Sequence, residues 1–99
     1  MRIIALSTLK AFWEQLKYGD VAEPLRAWFH FVKTADWATP ADIKADFRHA
    51  SILEDGRVIF NIAGSKYCLV IWINYSFRTV YICFIGTHDQ YNGINPKTI

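Results

Sequence analysis

The chain has 99 residues, of which 53% are hydrophobic and 16% aromatic, and this apolar content excludes an intrinsically disordered protein. Its length predicts a single domain with one core over residues 1–99. The net charge of +2 is too small for non-specific coating of DNA, although residues 57–99 hold four Lys or Arg against one Asp.

The chain begins with a pattern that predicts one short strand followed by a helix. The β-branched run Arg2–Leu6 favours the strand. Ser7 is expected to cap the helix, which would end at Gly19. The apolar residues of the helix recur at i, i+3, i+4 and i+7 and are Leu9, Phe12, Trp13 and Leu16.

Two more helices are predicted before residue 50. Asp20 and Glu23 have the spacing of a capping box, and the helix that they open is expected to run to about Asp36. Its inner face would consist of Leu25, Trp28, Phe29 and Val32. The order cap, proline, acid in Thr39–Asp42 begins the third helix, whose inner residues would be Ile43 and Phe47.

After Asp55-Gly56 the hydrophobic period changes from helical to two, which predicts strands. The three runs are Arg57–Ala63, Lys66–Tyr75 and Thr79–Ile85, joined by turns at Gly64-Ser65 and Phe77-Arg78. Helices first and a meander afterwards indicate the α+β class: a small antiparallel β-sheet with N-terminal helices packed on one face.

The register of these strands follows from two-residue turns. Gly64-Ser65 would pair Asn61 with Cys68 and Arg57 with Trp72. One face is then uniformly apolar and is expected to meet the helices: Val58, Phe60, Ile62, Tyr67, Leu69 and Ile71. A two-residue turn at Phe77-Arg78 would add Val80, Ile82 and Phe84 to that core face. The other face would then carry Tyr81, Cys83 and Ile85 with Lys66 and Cys68.

The face away from the helices gathers the candidate functional residues. It is expected to carry Arg57, Asn61 and Lys66, with His88 and Tyr91 just past the last strand. His88 differs from the scattered His30 and His49 because it follows a strand directly, and imidazole is suited to proton transfer. No metal-ligand spacing, glycine-rich phosphate loop or serine-hydrolase motif occurs, so no metal and no cofactor are expected.

Location and cysteine state are also predicted by the sequence. The longest strongly apolar run, Cys68–Ile73, is far shorter than the roughly 20 residues of a transmembrane helix. The first residues lack the extended apolar core of a secretory signal. We therefore expect a cytoplasmic protein with no membrane contact and with Cys68 and Cys83 as free thiols.

Several segments, in order along the chain, resemble the pattern of HigB-type toxins, which are RelE-like toxins of bacterial type II toxin–antitoxin systems. They are Asp36-Trp37 with Pro40-x-Asp42-Ile43-Lys44, Arg57–Ile62 with Gly64-x-Lys66-Tyr67, and Val80-Tyr81-Ile82 with Phe84–His88 and Tyr91. The resemblance extends from the Pro24-Leu25-x-x-Trp28 helix to Tyr91. It implies a small antiparallel sheet with helices on one face, in agreement with the periodicity.

The resemblance also implies a function: a metal-independent endonuclease that cuts messenger RNA in the ribosomal decoding site. Its partners would be a cognate helix-turn-helix antitoxin, the ribosome and messenger RNA. In this chemistry the ribose 2′-OH attacks the adjacent phosphate. A base takes its proton, cations hold the developing charge, and an acid protonates the departing 5′-oxygen.

By the same resemblance, particular residues receive roles. His88 would be the acid or the base, Lys66 and Arg57 would bind phosphate, and Tyr91 would stack on a base or assist proton transfer. The predicted RNA-contacting face consists of Arg57, Asn61, Lys66, Cys68 and Cys83. The family commonly has arginine where this chain has Cys68 and Cys83. A thiol lacks the donor fork of a guanidinium, so attenuated cleavage is expected.

Two other interpretations are compatible with the sequence. The chain could be a catalytically inactive module of the same fold that binds an antitoxin or the ribosome. It could also be a thiol hydrolase that uses Cys68 as nucleophile and His88 as base.

Overall fold

A computed structural model describes residues 1–99, apart from the side chains at positions 16 and 17. The strands are β1 (Arg2–Ile4), β2 (Ser51–Ile52), β3 (Arg57–Ile62), β4 (Tyr67–Asn74) and β5 (Thr79–Thr87). The helices are α1 (Leu6–Trp13), α2 (Ala22–Thr34), α3 (Pro40–Asp46) and α4 (His88–Asn92), with 3₁₀ segments at Leu16–Val21 and Glu54–Gly56. The predicted α+β class is confirmed. No helix of the described residues is long and apolar enough to cross a membrane.

The five strands form one sheet in the order β1-β5-β4-β3-β2. The strands from β2 to β5 pair antiparallel, whereas β1 pairs parallel with β5, with Ile3 opposite Val80. The sheet is therefore mixed, and the prediction of a wholly antiparallel sheet needs this correction. A parallel pair requires a long connection, and here the chain between β1 and β5 contains α1 to α3 and the other three strands.

The β3–β4 hairpin confirms the predicted register. Asn61 lies opposite Cys68 and Arg57 opposite Trp72. Phe60 is buried against the helices at 2% exposure, while its neighbour Asn61 is exposed. The core therefore lies between this face of the sheet and the helices, as the period of two predicted. The fully buried side chains there include Leu9, Leu25, Val32, Trp37, Ile43, Val58, Leu69 and Ile71.

The local signals for helix ends were right for α3 and wrong for α1 and α2. Thr39 caps α3 as predicted, with its Oγ1 accepting from the Asp42 N–H at 3.3 Å. Ser7 lies inside α1, which starts after Ala5 and ends at Trp13 rather than at Gly19. Leu16, predicted for the inner face of that helix, has its side chain outside the described residues.

The predicted capping box of Asp20 and Glu23 does not form. The helix α2 starts after Val21, which has no side-chain cap, and it ends at Thr34 rather than near Asp36. The Asp20 carboxylate instead accepts from the Tyr67 hydroxyl at 2.5 Å and from the Lys66 ammonium at 3.0 Å. The Asp20 carboxylate, which the local pattern predicted to cap α2, is therefore bound by Lys66 and Tyr67 at the start of β4.

A bulge in β5 exchanges the predicted faces of two residues. Val70 lies opposite Phe84 and Ile71 opposite Ile82, so Cys83 is an extra residue in the ladder. Beyond the bulge Phe84 lies on the side away from the helices and Ile85 faces the core, at 9% exposure. Their predicted positions are both wrong because an inserted residue reverses the alternation of side chains.

The turn between β4 and β5 is also longer than predicted. Asn74 lies opposite Thr79, so four residues connect the strands instead of the two predicted. The Asn74 Oδ1 accepts from the Phe77 N–H at 3.2 Å, and Arg78 adopts a φ of 50°. The Asn74 side chain thus supplies an acceptor for a main-chain N–H of the turn, and this bond stabilises the four-residue connection between β4 and β5.

Candidate active site

The candidate site lies on the face of β3 to β5 opposite the helices, which we call the outer face. Its residues are Arg57, Ile59, Asn61, Cys68, Val70, Trp72, Tyr81 and Phe84. The face was predicted to be open, but Val70 and Cys68 have exposures of only 0% and 1%. The chain beyond α4 returns along this face as far as Arg57, whose Nη2 donates to the Ile99 main-chain oxygen at 2.7 Å.

One end of the outer face brings together four of the predicted residues, Asn61, Cys68, His88 and Tyr91, which we call the His88 cluster. The Cys68 Sγ lies 3.8 Å from Nδ1 and 3.7 Å from Nε2 of His88, and 3.9 Å from the Asn61 Oδ1. The rings of His88 and Tyr91 meet edge to face, with centroids 6.2 Å apart. An imidazole and a phenol are therefore adjacent at the end of the sheet.

The position of His88 is determined by the start of α4. Thr87 caps this helix through its Oγ1, which accepts from the Gln90 N–H at 3.2 Å, while the Gln90 Oε1 accepts from the Thr87 N–H at 2.9 Å. The His88 N–H donates to the Lys66 carbonyl at 3.3 Å. These bonds fix the backbone from which the imidazole extends over Cys68.

Gly86 and Gln90 also shape this end of the sheet and were not among the predicted site residues. Gly86 lies opposite Cys68, and a Cβ built there would be 2.6 Å from the Phe84 Cζ and from the Gln90 Oε1. Only glycine leaves space for that ring and that amide. A glycine inside an otherwise apolar strand was the available sequence signal for such a close approach.

Lys66 and Arg57, the two predicted phosphate-binding cations, are not close to each other. Lys66 is at the hairpin turn and its ammonium pairs with Asp20 on the helix side of the sheet. Arg57 is at the far end of the same hairpin, six residues from Ala63, or about 20 Å at ~3.3 Å per residue. One phosphate therefore cannot be bound by both side chains in this arrangement.

Arg57 has its own surroundings. Its Nε is buried without a hydrogen-bond acceptor among the described residues. Trp72 lies opposite Arg57 in the sheet and packs against Tyr81, with ring centroids 5.2 Å apart. Tyr81 is 37% exposed, so a cation and an accessible aromatic ring share this end of the outer face. The period of two predicted that Tyr81 lies on this face, but it gave no reason to choose Tyr81 as a candidate site residue.

The hydrogen bond between Tyr67 and Asp20 predicts a pH dependence of stability. It raises the pKa of Tyr67 to about 12, from an ordinary value of 10.0, and it lowers the pKa of Asp20. The stabilisation is therefore complete between pH 3.8 and pH 10. It is lost as the pH rises from 10 through 12, and it is lost as the pH falls from 3.8 through the lowered pKa of Asp20. We expect Asp20→Asn to move alkaline unfolding, followed by circular dichroism, to lower pH.

A second measurement follows the absorbance of tyrosinate as the pH rises. Its control is Tyr81→Phe, which removes an exposed phenol from the outer face. Tyr67→Phe should eliminate the tyrosinate absorbance step near pH 12, whereas Tyr81→Phe should leave that step in place. Persistence of the step in Tyr67→Phe would show that another group titrates there.

The two cysteines are free, as predicted, although their partners across the strands differ from the predicted ones. The predicted two-residue turn at Phe77-Arg78 would place Cys68 opposite Thr87 and Cys83 opposite Trp72. In the structure Cys68 lies opposite Gly86, and Cys83 is in the bulge. Gly86 is three positions after Cys83, or about 10 Å along the strand at ~3.3 Å per residue. That distance is still beyond the roughly 7 Å between Cα atoms that a disulfide allows.

The geometry does not support a thiol nucleophile at Cys68. Burial raises the pKa of this thiol, whereas a cysteine nucleophile needs a lowered pKa. Its sulfur is almost equidistant from both imidazole nitrogens, so it does not lie along the hydrogen-bonding direction of either. The thiol–imidazole pair of a cysteine hydrolase is therefore not formed.

Thiol reactivity tests this description. We expect two thiols to react with Ellman's reagent in denaturant without reductant. In the folded chain, half-buried Cys83 should react first and Cys68 only as slowly as the chain opens, because Cys68 is 1% exposed. Cys83→Ser should remove the faster phase, and detection of no free thiol in denaturant would contradict the assignment.

Within the described side chains, no group of three His, Cys, Asp or Glu residues is placed so that it could hold a metal ion. The model of the family described as HigB_toxin, the RelE-like toxic component of a toxin–antitoxin system, matches residues 21–94. No curated protein matches the chain.

Proposed function

Because the chain belongs to the HigB family, the RelE-like toxic components of toxin–antitoxin systems, we propose that it cleaves messenger RNA on the ribosome. The observation that carries this proposal is the His88 cluster. It places an imidazole, a phenol and an amide together at the end of the outer face. These groups suit proton transfer and base contacts in cleavage by an internal 2′-OH.

In the proposed reaction the 2′-oxygen attacks the adjacent phosphorus, its proton passes to a base, and the bond to the 5′-oxygen breaks. The products are a 2′,3′-cyclic phosphate and a 5′-hydroxyl. We assign the base to His88. Burial raises the pKa of Tyr91, so its hydroxyl keeps its proton near neutral pH and acts as a hydrogen-bond donor. Tyr91 is proposed to protonate the departing 5′-oxygen, so that the proton taken up by His88 is matched by one given to the leaving group.

Arg57 is proposed to hold a phosphate away from the scissile bond. Its buried Nε lacks an acceptor among the described residues, and the exposed ring of Tyr81 nearby can stack on a base. Lys66 would act at the other end, on the backbone next to His88, after partial release from Asp20. Asn61 and Cys83 complete the proposed RNA-contacting face, whereas Cys68, predicted to belong to it, is 1% exposed and lies beneath His88.

The second candidate function is a binding module without cleavage, and one observation favours it. In the described part of the chain, no cation contacts the imidazole or the thiol of the His88 cluster: the ammonium of Lys66 pairs with Asp20, and Arg57 bonds to Ile99. Phosphorane formation adds negative charge that such a site stabilises poorly. A chain with attenuated activity still cuts a message on the ribosome, whereas a binding module leaves the message intact.

The test is cleavage of a defined message on programmed ribosomes, with purified chain and single-turnover conditions. We expect a cut at the occupied decoding site that leaves a 5′-hydroxyl, and no cut of the same RNA without ribosomes. Ribosome binding without any cut would support the binding module instead. The family also implies an antitoxin, and we propose that a helix-turn-helix protein encoded by an adjacent reading frame fills that role.

A further inference from the structure

A groove on the helix side of the molecule lies next to the His88 cluster and shares Asn61 with it. It has a volume of about 360 Å³ and runs between α2, the end of α3 and the end of β3. Its lining includes Ala27, Trp28, Phe31, Asp46, Phe47 and Asn61. Phe31 is 45% exposed there, so the groove has a large accessible apolar wall.

The first sign that this groove takes a ligand is an unsatisfied donor. Trp28 is only 3% exposed, and no described residue accepts a hydrogen bond from its indole N–H. A buried N–H without an acceptor costs free energy. The neighbouring indole of Trp37 shows the usual arrangement, since its N–H donates to the Asp46 Oδ2 at 2.9 Å. Trp28 lines the groove, and its indole N–H is left without an acceptor.

The second sign is a free strand edge. The Leu53 N–H donates to the Arg57 carbonyl at 2.8 Å, so Arg57 and every second residue after it direct their main-chain groups toward β2. The pairing of β2 with β3 ends where Ser51 lies opposite Ile59. The N–H and carbonyl of Asn61 extend beyond that point, and no hydrogen bond to them is formed by the described residues outside the sheet. An edge of this kind pairs with an extended peptide.

The third sign is charge. The groove is lined by the Asp46 carboxylate and by no Lys or Arg among the described side chains. A phosphate backbone is repelled by such a lining, whereas a peptide with a Lys or Arg is attracted. The favoured occupant is therefore a peptide rather than a nucleic acid.

We propose that this groove binds an extended segment of the antitoxin, with one large apolar side chain packed on the exposed ring of Phe31, which meets the Phe47 ring edge to face with centroids 5.2 Å apart. A main-chain carbonyl of the segment would accept from Trp28, its backbone would pair with Asn61, and a Lys or Arg would meet Asp46. The proposal rests on the proposed function only in taking the antitoxin as the partner. Asn61 belongs to both sites, because its main chain forms the groove edge while its side chain contacts Cys68.

The test measures binding between the full chain and the protein encoded by the adjacent reading frame, by calorimetry. Ala27 is exposed on α2 and lines the groove, so its substitution leaves the core intact. Ala27→Arg should weaken binding at least tenfold, and Ala27→Glu, of similar bulk but opposite charge, should weaken it less. Trp28→Phe removes the N–H and should cost roughly tenfold, the loss of one hydrogen bond. Lys33→Glu, which alters α2 outside the groove, should bind like the unaltered chain.

Hydrogen exchange gives a second readout that does not depend on any variant folding. The Asn61 amide should exchange freely in the chain alone and become protected in the complex. Unchanged affinity in Ala27→Arg, protection confined to other strands, or no binding at all would overturn the proposal. A concentration-dependent dimer that Ala27→Arg abolishes would also overturn it, since the occupant would then be a second copy of the chain.

Failure of this inference and failure of the proposed function are distinguishable. Binding is measured without RNA or ribosomes, so a chain that cuts no message can still protect Asn61 in the complex. Conversely, a chain that cuts message while the antitoxin binds elsewhere would refute the groove alone.

Discussion

Replacing both Cys68 and Cys83 by arginine is expected to raise single-turnover message cleavage by about 10²-fold or more, the usual effect of one electrostatic group. The reason is the charge that develops on the phosphorane. A guanidinium meets that charge with two parallel hydrogen bonds, whereas a thiol offers none of comparable strength. Cellular toxicity should rise in the same order as the rate.

The structure predicts different consequences for the two substitutions. Cys83 lies in the β5 bulge, half-buried and close enough to Arg57 for that cation to act on its pKa. An arginine there can extend toward solvent with little change in packing. Cys68 is 1% exposed beneath His88, so an arginine must displace the chain beyond α4 and pass beside the imidazole, which has to stay in place for cleavage. Cys68→Arg should therefore lower the melting temperature, and Cys83→Arg should not.

Matched variants separate charge from geometry in this experiment. Cys83→Lys adds the same charge as arginine without its planar fork, so it should recover less of the rate. Cys83→Gln adds bulk without charge and should recover almost none. If the double arginine variant folds, binds ribosomes and still cuts no faster than the present chain, the cysteines at positions 68 and 83 do not limit the rate of cleavage.

How far the sequence predicted this fold depends on whether the two faces of a strand differ in polarity. In β3 the alternation of Phe60 with Asn61 left only one register, and the structure has it. In β5 both faces are apolar or nearly so, with Ile82 and Phe84 alternating with Cys83 and Ile85. Alternation carries no information in such a run, and the bulge could not be predicted from it.

The candidate site was predictable where local order determines it. Placing His88 directly after the last strand, with Cys68 on the neighbouring one, followed from the hairpin register. The partners of Lys66 and Arg57 were not predictable, because Asp20 and Ile99 come from distant parts of the chain. Asp20 even carried a misleading local signal, since an acid three residues before Glu23 is also what a helix cap needs.

In the double variant with Cys68→Arg and Cys83→Arg, the further change His88→Ala should lower the cleavage rate by about 10²–10⁴-fold, the range of general acid–base catalysis. His88 is the imidazole that the start of α4 holds over Cys68, and it adjoins the Tyr91 phenol. Ribosome affinity should change far less, because phosphate contacts come from other side chains. A loss in the chemical step with binding retained is the signature of a proton-transfer group.

The control is a second histidine that lies outside the site. His30 is exposed on α2, and His30→Ala should leave the rate unchanged. His88→Gln keeps a polar side chain of similar size but cannot take a proton, so it should be as slow as His88→Ala. If His88→Gln instead retains the restored rate, the imidazole only positions the RNA. The base must then be sought at another group, with Tyr91→Phe as the next variant to measure.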